Sequence, residues 1–148
     1  MDLILWRHAE AADAVPDDAR PLTDKGRRQA EHMARFIASR LPKNTRILVS
    51  PALRAQQTAS ALTKHFTTEP KVGTQATAKT ALAAAGWAKD SGSVLIVGHQ
   101  PYLGELAALL MTGHAESWNM KKGAVWWFTR TDDDPQANLR LVIAPDLL

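Results

Sequence analysis

Three short apolar runs, each ending abruptly in charged or imidazole-bearing residues, constrain this chain more than any other feature. Asp2-Leu3-Ile4-Leu5-Trp6 runs into Arg7-His8. Arg46-Ile47-Leu48-Val49 runs into Ser50-Pro51, with Arg54 one turn further on. Val94-Leu95-Ile96-Val97 runs into Gly98-His99. Unbroken apolar runs of this length fit strands buried on both faces, as in a parallel sheet covered by helices.

The segments between these runs read as helices. Thr23 or Asp24 caps a predicted helix to about Leu41, with Ala30, Met33, Ala34, Ile37 and Leu41 as its apolar stripe and Pro42 as its stop. Ser50-Pro51 predicts the next helix start, since Ser caps well and Pro at the first helical position loses no useful hydrogen bond. Ala55, Thr58, Ala59, Leu62 and Phe66 mark its buried side. A third helix is expected over Ala76 to Ala85, ending at Gly86. A fourth follows Pro101, with Leu103, Leu106, Ala107, Leu110 and Met111 on one side and Gly113 past its end. Ala124 to Thr129 and Leu139 to Ile143 predict two more strands, joined as an antiparallel hairpin by Asp132-Asp133-Asp134-Pro135. The expected fold is α/β: a three-layer α/β/α sandwich with a mostly parallel central sheet and right-handed crossovers. At 148 residues the chain suits a single domain, 1–148.

Composition removes several function classes. Hydrophobic residues at 45% and charged residues at 22% are ordinary for a soluble globular protein. The absence of cysteine excludes disulfides, thiolate chemistry and cysteine-rich zinc sites. The run from Met1 to Trp6 is too short for a signal peptide or a membrane span, so no membrane partner and a cytoplasmic location are expected. The net charge of +3 comes from scattered Lys and Arg. Without a basic stripe, no nucleic-acid partner is expected. Asp/Glu–His spacing of a metal site is lacking, so no metal or other cofactor is expected.

In open parallel sheets, ligand sites form at the carboxyl ends of the strands. Arg7, His8, Arg54 and His99 are therefore expected at one edge. Singly, an Arg in a first helical turn is ordinarily a solvated side chain, and a His after a strand a hydrogen-bonded structural residue. Four such residues at one edge are harder to explain that way. A cation in the first turn opposes the helix dipole, whereas an anion bound there reverses the argument. Guanidinium forks match phosphate oxygens bidentately, which makes phosphate the expected anion. His32, His65 and His114 read as surface histidines, and the five tryptophans as packing residues.

These residues resemble a known family. Leu5-Trp6-Arg7-His8-Ala9-Glu10 resembles the Arg-His-Gly signature of the histidine phosphatase superfamily, which includes the phosphoglycerate mutases. Pro21-Leu22-Thr23-Asp24-Lys25-Gly26 with Gln29-Ala30 looks like its next block. Ser50-Pro51-Ala52-Leu53-Arg54-Ala55-Gln56-Gln57-Thr58-Ala59 resembles the block carrying the second arginine, and Val97-Gly98-His99-Gln100-Pro101 the block carrying the second histidine. The matches run in order from Met1 to about Leu110. The short length and the Arg-His-Ala-Glu form look most like the SixA-type phosphohistidine phosphatases. The resemblance implies a small phosphoglycerate mutase-like fold without the large lid insertion. Ala9 stands where the broad family has Gly. The mutase-like general acid is also missing, since residues 67–93 offer only Glu69 and Asp90 as carboxylates. Glu10 is the remaining candidate acid.

The resemblance implies that Arg7, His8, Arg54 and His99 bind phosphate and catalyse its transfer, with His8 as the nucleophile. Positive neighbours would keep its imidazole neutral, and a backbone carbonyl would fix its tautomer. A missing acid favours phosphohistidine on a partner protein, because imidazole leaves with less protonic help than an alkoxide. Two alternatives stay open: a phosphatase for small phosphate esters, and a phosphate-binding module that does no chemistry.

Overall fold

The structure, a computed structural model, describes every residue except Ala88 and Asp90. Each apolar run becomes a strand because its alternate side chains have two faces to fill. In β1 (Asp2–Arg7), Leu3 and Leu5 join one core, while Ile4 and Trp6 join another on the opposite face. The first core is closed by Ala81 and Ala85 of α3 (Ala78–Ala85) and by Leu103, Leu106 and Ala107 of α4 (Tyr102–Thr112). The second is closed by Met33, Ala34 and Ile37 of α1 (Asp24–Ala38) and by Ala55 and Ala59 of α2 (Leu53–Ser60). The expected three layers follow from this two-sided burial.

One mixed sheet runs in the order β3-β2-β4-β1-β5-β6. The other two predicted apolar strands are β2 (Arg46–Val49) and β4 (Ser93–Gly98), with β4 lying between β1 and β2. With the two-residue edge strand β3 (Thr67–Thr68) they make the parallel part. β5 (Val125–Thr131) and β6 (Asp134–Ile143) form the expected antiparallel hairpin, though its turn is only Asp132-Asp133 and Pro135 lies inside β6. Pro135 is tolerated there because β6 is an edge strand. β3 had no sequence signal, being too short for periodicity. Among the described residues, no helix is long and apolar enough to cross a membrane.

Register brings the three runs to a common level. Val97 pairs with both Trp6 and Val49. The ladder continues one residue past the strand ends, through His8 N donating to Gly98 O (3.0 Å) and Ser50 N to Val97 O (3.1 Å). His8, Ser50 and His99 therefore leave the sheet side by side.

Helix starts follow local capping, with one revision. Thr23 caps α1 by accepting from Gly26 N at 2.9 Å. Thr77 caps α3, which starts at Ala78, two residues later than expected, and Gly86 and Gly113 end α3 and α4 in the left-handed conformation. Ser50-Pro51 does not open α2. That helix begins at Leu53 behind Ala52, with no side-chain cap. It also stops at Ser60, so Leu62 and Phe66 reach the core from beyond it. The Ser50 hydroxyl is engaged elsewhere.

α1 packs tightly on the loop that follows His8. The Glu10 carbonyl accepts from Thr23 N at 3.0 Å, and a Cβ on Gly26 would lie 2.0 Å from that same oxygen. A Gly26→Ala substitution is therefore expected to cost ~1–3 kcal/mol in denaturant unfolding, the usual range for overpacking. Wild-type stability in that variant would contradict the packing described.

Candidate active site

The carboxyl edge of the sheet holds the four expected residues. His8 and His99 are 7% and 3% exposed, with ring centroids 5.2 Å apart, and Arg54 is 5% exposed. Arg7 reaches the same edge from the last position of β1 and donates from Nη1 to Met120 O at 2.7 Å. Arg54 occupies the second position of α2.

His8 Nδ1 lies 2.8 Å from the carbonyl of Ala9. A carbonyl can only accept, so Nδ1 carries the proton and the lone pair sits on Nε2. Burial, opposed by the Ala9 bond but reinforced by His99, Arg54 and Arg7, brings the His8 pKa down to about 3. Its imidazole is thus neutral, with Nε2 as an available nucleophile.

His99 is held by a residue that sequence reasoning took for a helix cap. Its Nε2 lies 2.6 Å from Ser50 Oγ, which is fully buried and also accepts from Ala52 N at 3.2 Å. With one lone pair of Ser50 taken by Ala52, the hydroxyl proton is available for His99 Nε2. When the hydroxyl donates to Nε2, the ring hydrogen sits on His99 Nδ1. Burial and Arg54 bring the His99 pKa down to about 4, with Asp17 opposing.

Arg54 is fixed by Asp17, which the sequence did not single out. Nη1 donates to the Asp17 carbonyl (2.8 Å) and Nη2 to its carboxylate (3.0 Å). Asp17 opens a single 3-10 turn, Asp17–Ala19, in the loop between β1 and α1. Hydrogen bonding to Arg54 holds the Asp17 carboxyl below its ordinary range. Nothing in the sequence but a run of two aspartates marked this contact.

Three nitrogens of the cluster remain buried without a protein partner: Arg7 Nε, Arg54 Nε and His99 Nδ1. The fourth such atom recorded, Trp127 Nε1, lies in the core away from this edge. Buried donors are ordinarily paired, and an unpaired one costs about 1–3 kcal/mol. Arg7 Nε and Arg54 Nε are donors, and His99 Nδ1 is a third in the tautomer whose Nε2 accepts from Ser50; beside one imidazole lone pair they can take an oxyanion with several acceptor oxygens.

The other expected residues are accounted for. The Glu10 carboxylate accepts from Thr23 Oγ1 at 2.7 Å, at the N-cap of α1. Glu69 accepts from Lys71 N, and Asp90 lies outside the described residues. Ala9 is fully buried with Leu22 and Ala30, so its methyl fills a small core. His32, His65 and His114 are exposed, though His65 falls beyond α2. Amides of the resembling blocks tie loops together. Gln29 accepts from Glu10 N, Gln57 from Leu22 N, and Gln100 bridges Gly104 N and Trp118 O. Among the described residues, no three or more His, Cys, Asp or Glu side chains gather in a group able to hold a metal.

The geometry has known counterparts. Residues 3–77 match the model of the histidine phosphatase superfamily, branch 1. The phosphohistidine phosphatase SixA of Escherichia coli (strain K12) is 33% identical over 126 residues, covering 76% of each chain. A structure of the protein histidine phosphatase SixA complexed with tungstate superimposes with a TM-score of 0.80 at 26% identity, covering 99% of both chains. The alpha-ribazole phosphatase of Shigella flexneri shares the fold at a TM-score of 0.71 and 19% identity, covering 98% of this chain and 97% of its own. With strand ends, motif blocks and all three comparisons in agreement, the chain belongs to the histidine phosphatase superfamily.

Proposed function

We propose that this protein is a phosphatase in which His8 accepts a phosphoryl group and water then removes it, with phosphohistidine on a partner protein as the substrate. The observation that carries the reading is the pairing of one imidazole lone pair, on His8 Nε2, with three uncommitted buried donors. Nε2 attacks phosphorus in line as the bond to the leaving group breaks. The leaving imidazole nitrogen takes the electron pair of the P–N bond and, with its second nitrogen already protonated, departs as neutral imidazole. Water then attacks phosphorus, releases inorganic phosphate and returns His8 to its neutral form.

Arg7, Arg54 and His99 Nδ1 donate to the non-bridging oxygens, where charge is spread in the transition state. Arg7 and Arg54 are held for this by Met120 and Asp17, and His99 by Ser50. No carboxyl is placed as a proton donor: Glu10 is held by Thr23, and Asp17 is kept ionised by Arg54. That favours a leaving group such as imidazole, whose second nitrogen can already carry a proton. Likeness to SixA supports the same choice.

A small-ester phosphatase is the second reading. A cavity of about 530 Å3 beside Arg54 and His99 favours it, being in the size range of small-ligand sites. Turnover of a phosphohistidine-bearing protein compared with a panel of phosphomonoesters separates the two. Faster turnover of a sugar phosphate would overturn the protein-substrate reading.

Rapid quench with 32P-labelled substrate tests the chemistry. Wild type is expected to accumulate label on the enzyme, and His8→Ala to lose both label and turnover. Full activity in that variant would refute the mechanism, and binding without turnover in wild type would indicate a phosphate-binding module. Arg54→Ala is expected to lower kcat by about 10²–10³, the usual effect of removing one oxyanion donor.

Acid stability follows from the same two imidazoles. Their folded pKa values, about 3 and about 4, lie below the ordinary 6.5. The unfolded chain therefore binds protons that the native state refuses. Their contribution to stability is present above about pH 6.5 and is lost as pH falls through about 4 for His99 and about 3 for His8. Thermal melts between pH 7 and 4 should show this slope, and His8→Gln with His99→Gln should flatten it. An equal slope in the double variant would contradict the burial of neutral rings.

A further inference from the structure

The cavity beside the cluster has a charge pattern that the phosphoryl chemistry leaves unexplained. Its buried residues are Arg54 and His99, each with a nitrogen lacking a protein partner. Pro16, Asp17, Asp18, Thr74, Gln75 and Gln100 complete the lining. Pro16, Asp17, Asp18 and Gln75 are exposed, so the cavity opens to solvent along the turn that carries both aspartates. His8 is not part of this lining. A substrate whose phosphoryl group meets Arg54 and His99 has this space available for the rest of the molecule.

Arg54 is the one lysine or arginine among these lining residues, and Asp17 is shared between it at 3.0 Å and Arg20, behind the turn, at 3.4 Å. The Asp18 carboxylate has a neutral neighbour, Thr74 Oγ1, at 3.5 Å. Among the described lining residues, Asp18 is therefore the carboxylate with no ion pair of its own, and it faces the cavity while both arginines are engaged by Asp17. A leaving group that itself carries a carboxylate or a further phosphate meets no free cation there. Imidazole, an amine or an uncharged alcohol meets no such repulsion, and a protonated amine is attracted.

We infer that Asp18, with the Asp17–Arg54 pair behind it, is a specificity-determining residue that selects against anionic leaving groups at this site. The inference rests on the phosphatase reading above and deepens it, because it separates phosphoramidates and esters with uncharged leaving groups from metabolite phosphates whose leaving groups are anionic. The filter acts through space, so its strength depends on distance and salt. At 5–8 Å near a protein surface, removing or reversing one charge changes the rate for a singly charged ligand roughly threefold to tenfold.

A matched pair of esters tests it: phenyl phosphate and 4-carboxyphenyl phosphate, with N-phosphoimidazole as a third substrate. Wild type, Asp18→Asn and Asp18→Lys are compared by kcat/KM at low and high ionic strength. The expected result is a rise in the carboxyphenyl-to-phenyl ratio, about threefold for the Asn variant and about tenfold for the Lys variant, shrinking in about 0.5 M salt. A structural role for Asp18 would move both esters together and would not depend on salt. A ratio equal to that of wild type in both variants would overturn the inference. Failure of the phosphohistidine reading is distinguishable, since it shows in wild type as slower turnover of N-phosphoimidazole than of phenyl phosphate. The ester ratio still judges Asp18 in that case.

Discussion

The structure turns on the cost of burying donors that have no protein partner. Arg7 Nε, Arg54 Nε and His99 Nδ1 are withdrawn from water beside a neutral His8. Each would be destabilising by itself, and the two guanidiniums are drawn out of bulk water besides. A fold tolerates such a cluster when the surroundings fix it and a ligand completes it. On the proposed reading a phosphoryl group would complete it, its oxygens accepting from these nitrogens and its phosphorus facing His8 Nε2.

The surroundings fix the cluster through backbone carbonyls, a hydroxyl and the Asp17 carboxylate, leaving at least one nitrogen of each group without a protein partner. Met120 O takes one arm of Arg7, Asp17 takes both terminal nitrogens of Arg54, Ala9 O takes one side of the His8 ring, and Ser50 one side of His99. A further layer of amides keeps those partners in place. Gln57 holds Leu22, Gln29 holds Glu10, and Gln100 holds the Trp118 segment. Thr58 links the layers: its hydroxyl accepts from Ala9 N and donates to the Arg54 carbonyl. Residues that look like incidental members of the motif blocks are thus the supports of the site.

Much of this was legible in the sequence because it rests on periodicity and position. The three apolar runs predicted β1, β2 and β4, and the ends of those strands predicted where Arg7, His8, Arg54 and His99 meet. Long-range partners were not legible. Ser50 read as a cap because Ser-Pro usually opens a helix, yet the buried imidazole of His99 competes for its hydroxyl and α2 starts three residues later. Asp17 lay in a loop without periodicity, and only folding brings it to Arg54, 37 positions away. Strand order was equally hidden, because β4 inserts between β1 and β2 through contacts distant in sequence.

A crystal structure with a phosphate mimic such as vanadate or tungstate tests the central claim most directly. The account predicts the oxyanion within hydrogen-bond distance of Arg7 Nε, Arg54 Nε and His99 Nδ1, with its central atom in line with His8 Nε2. An oxyanion bound elsewhere on the protein, with those three nitrogens still lacking it as a partner, would contradict the account.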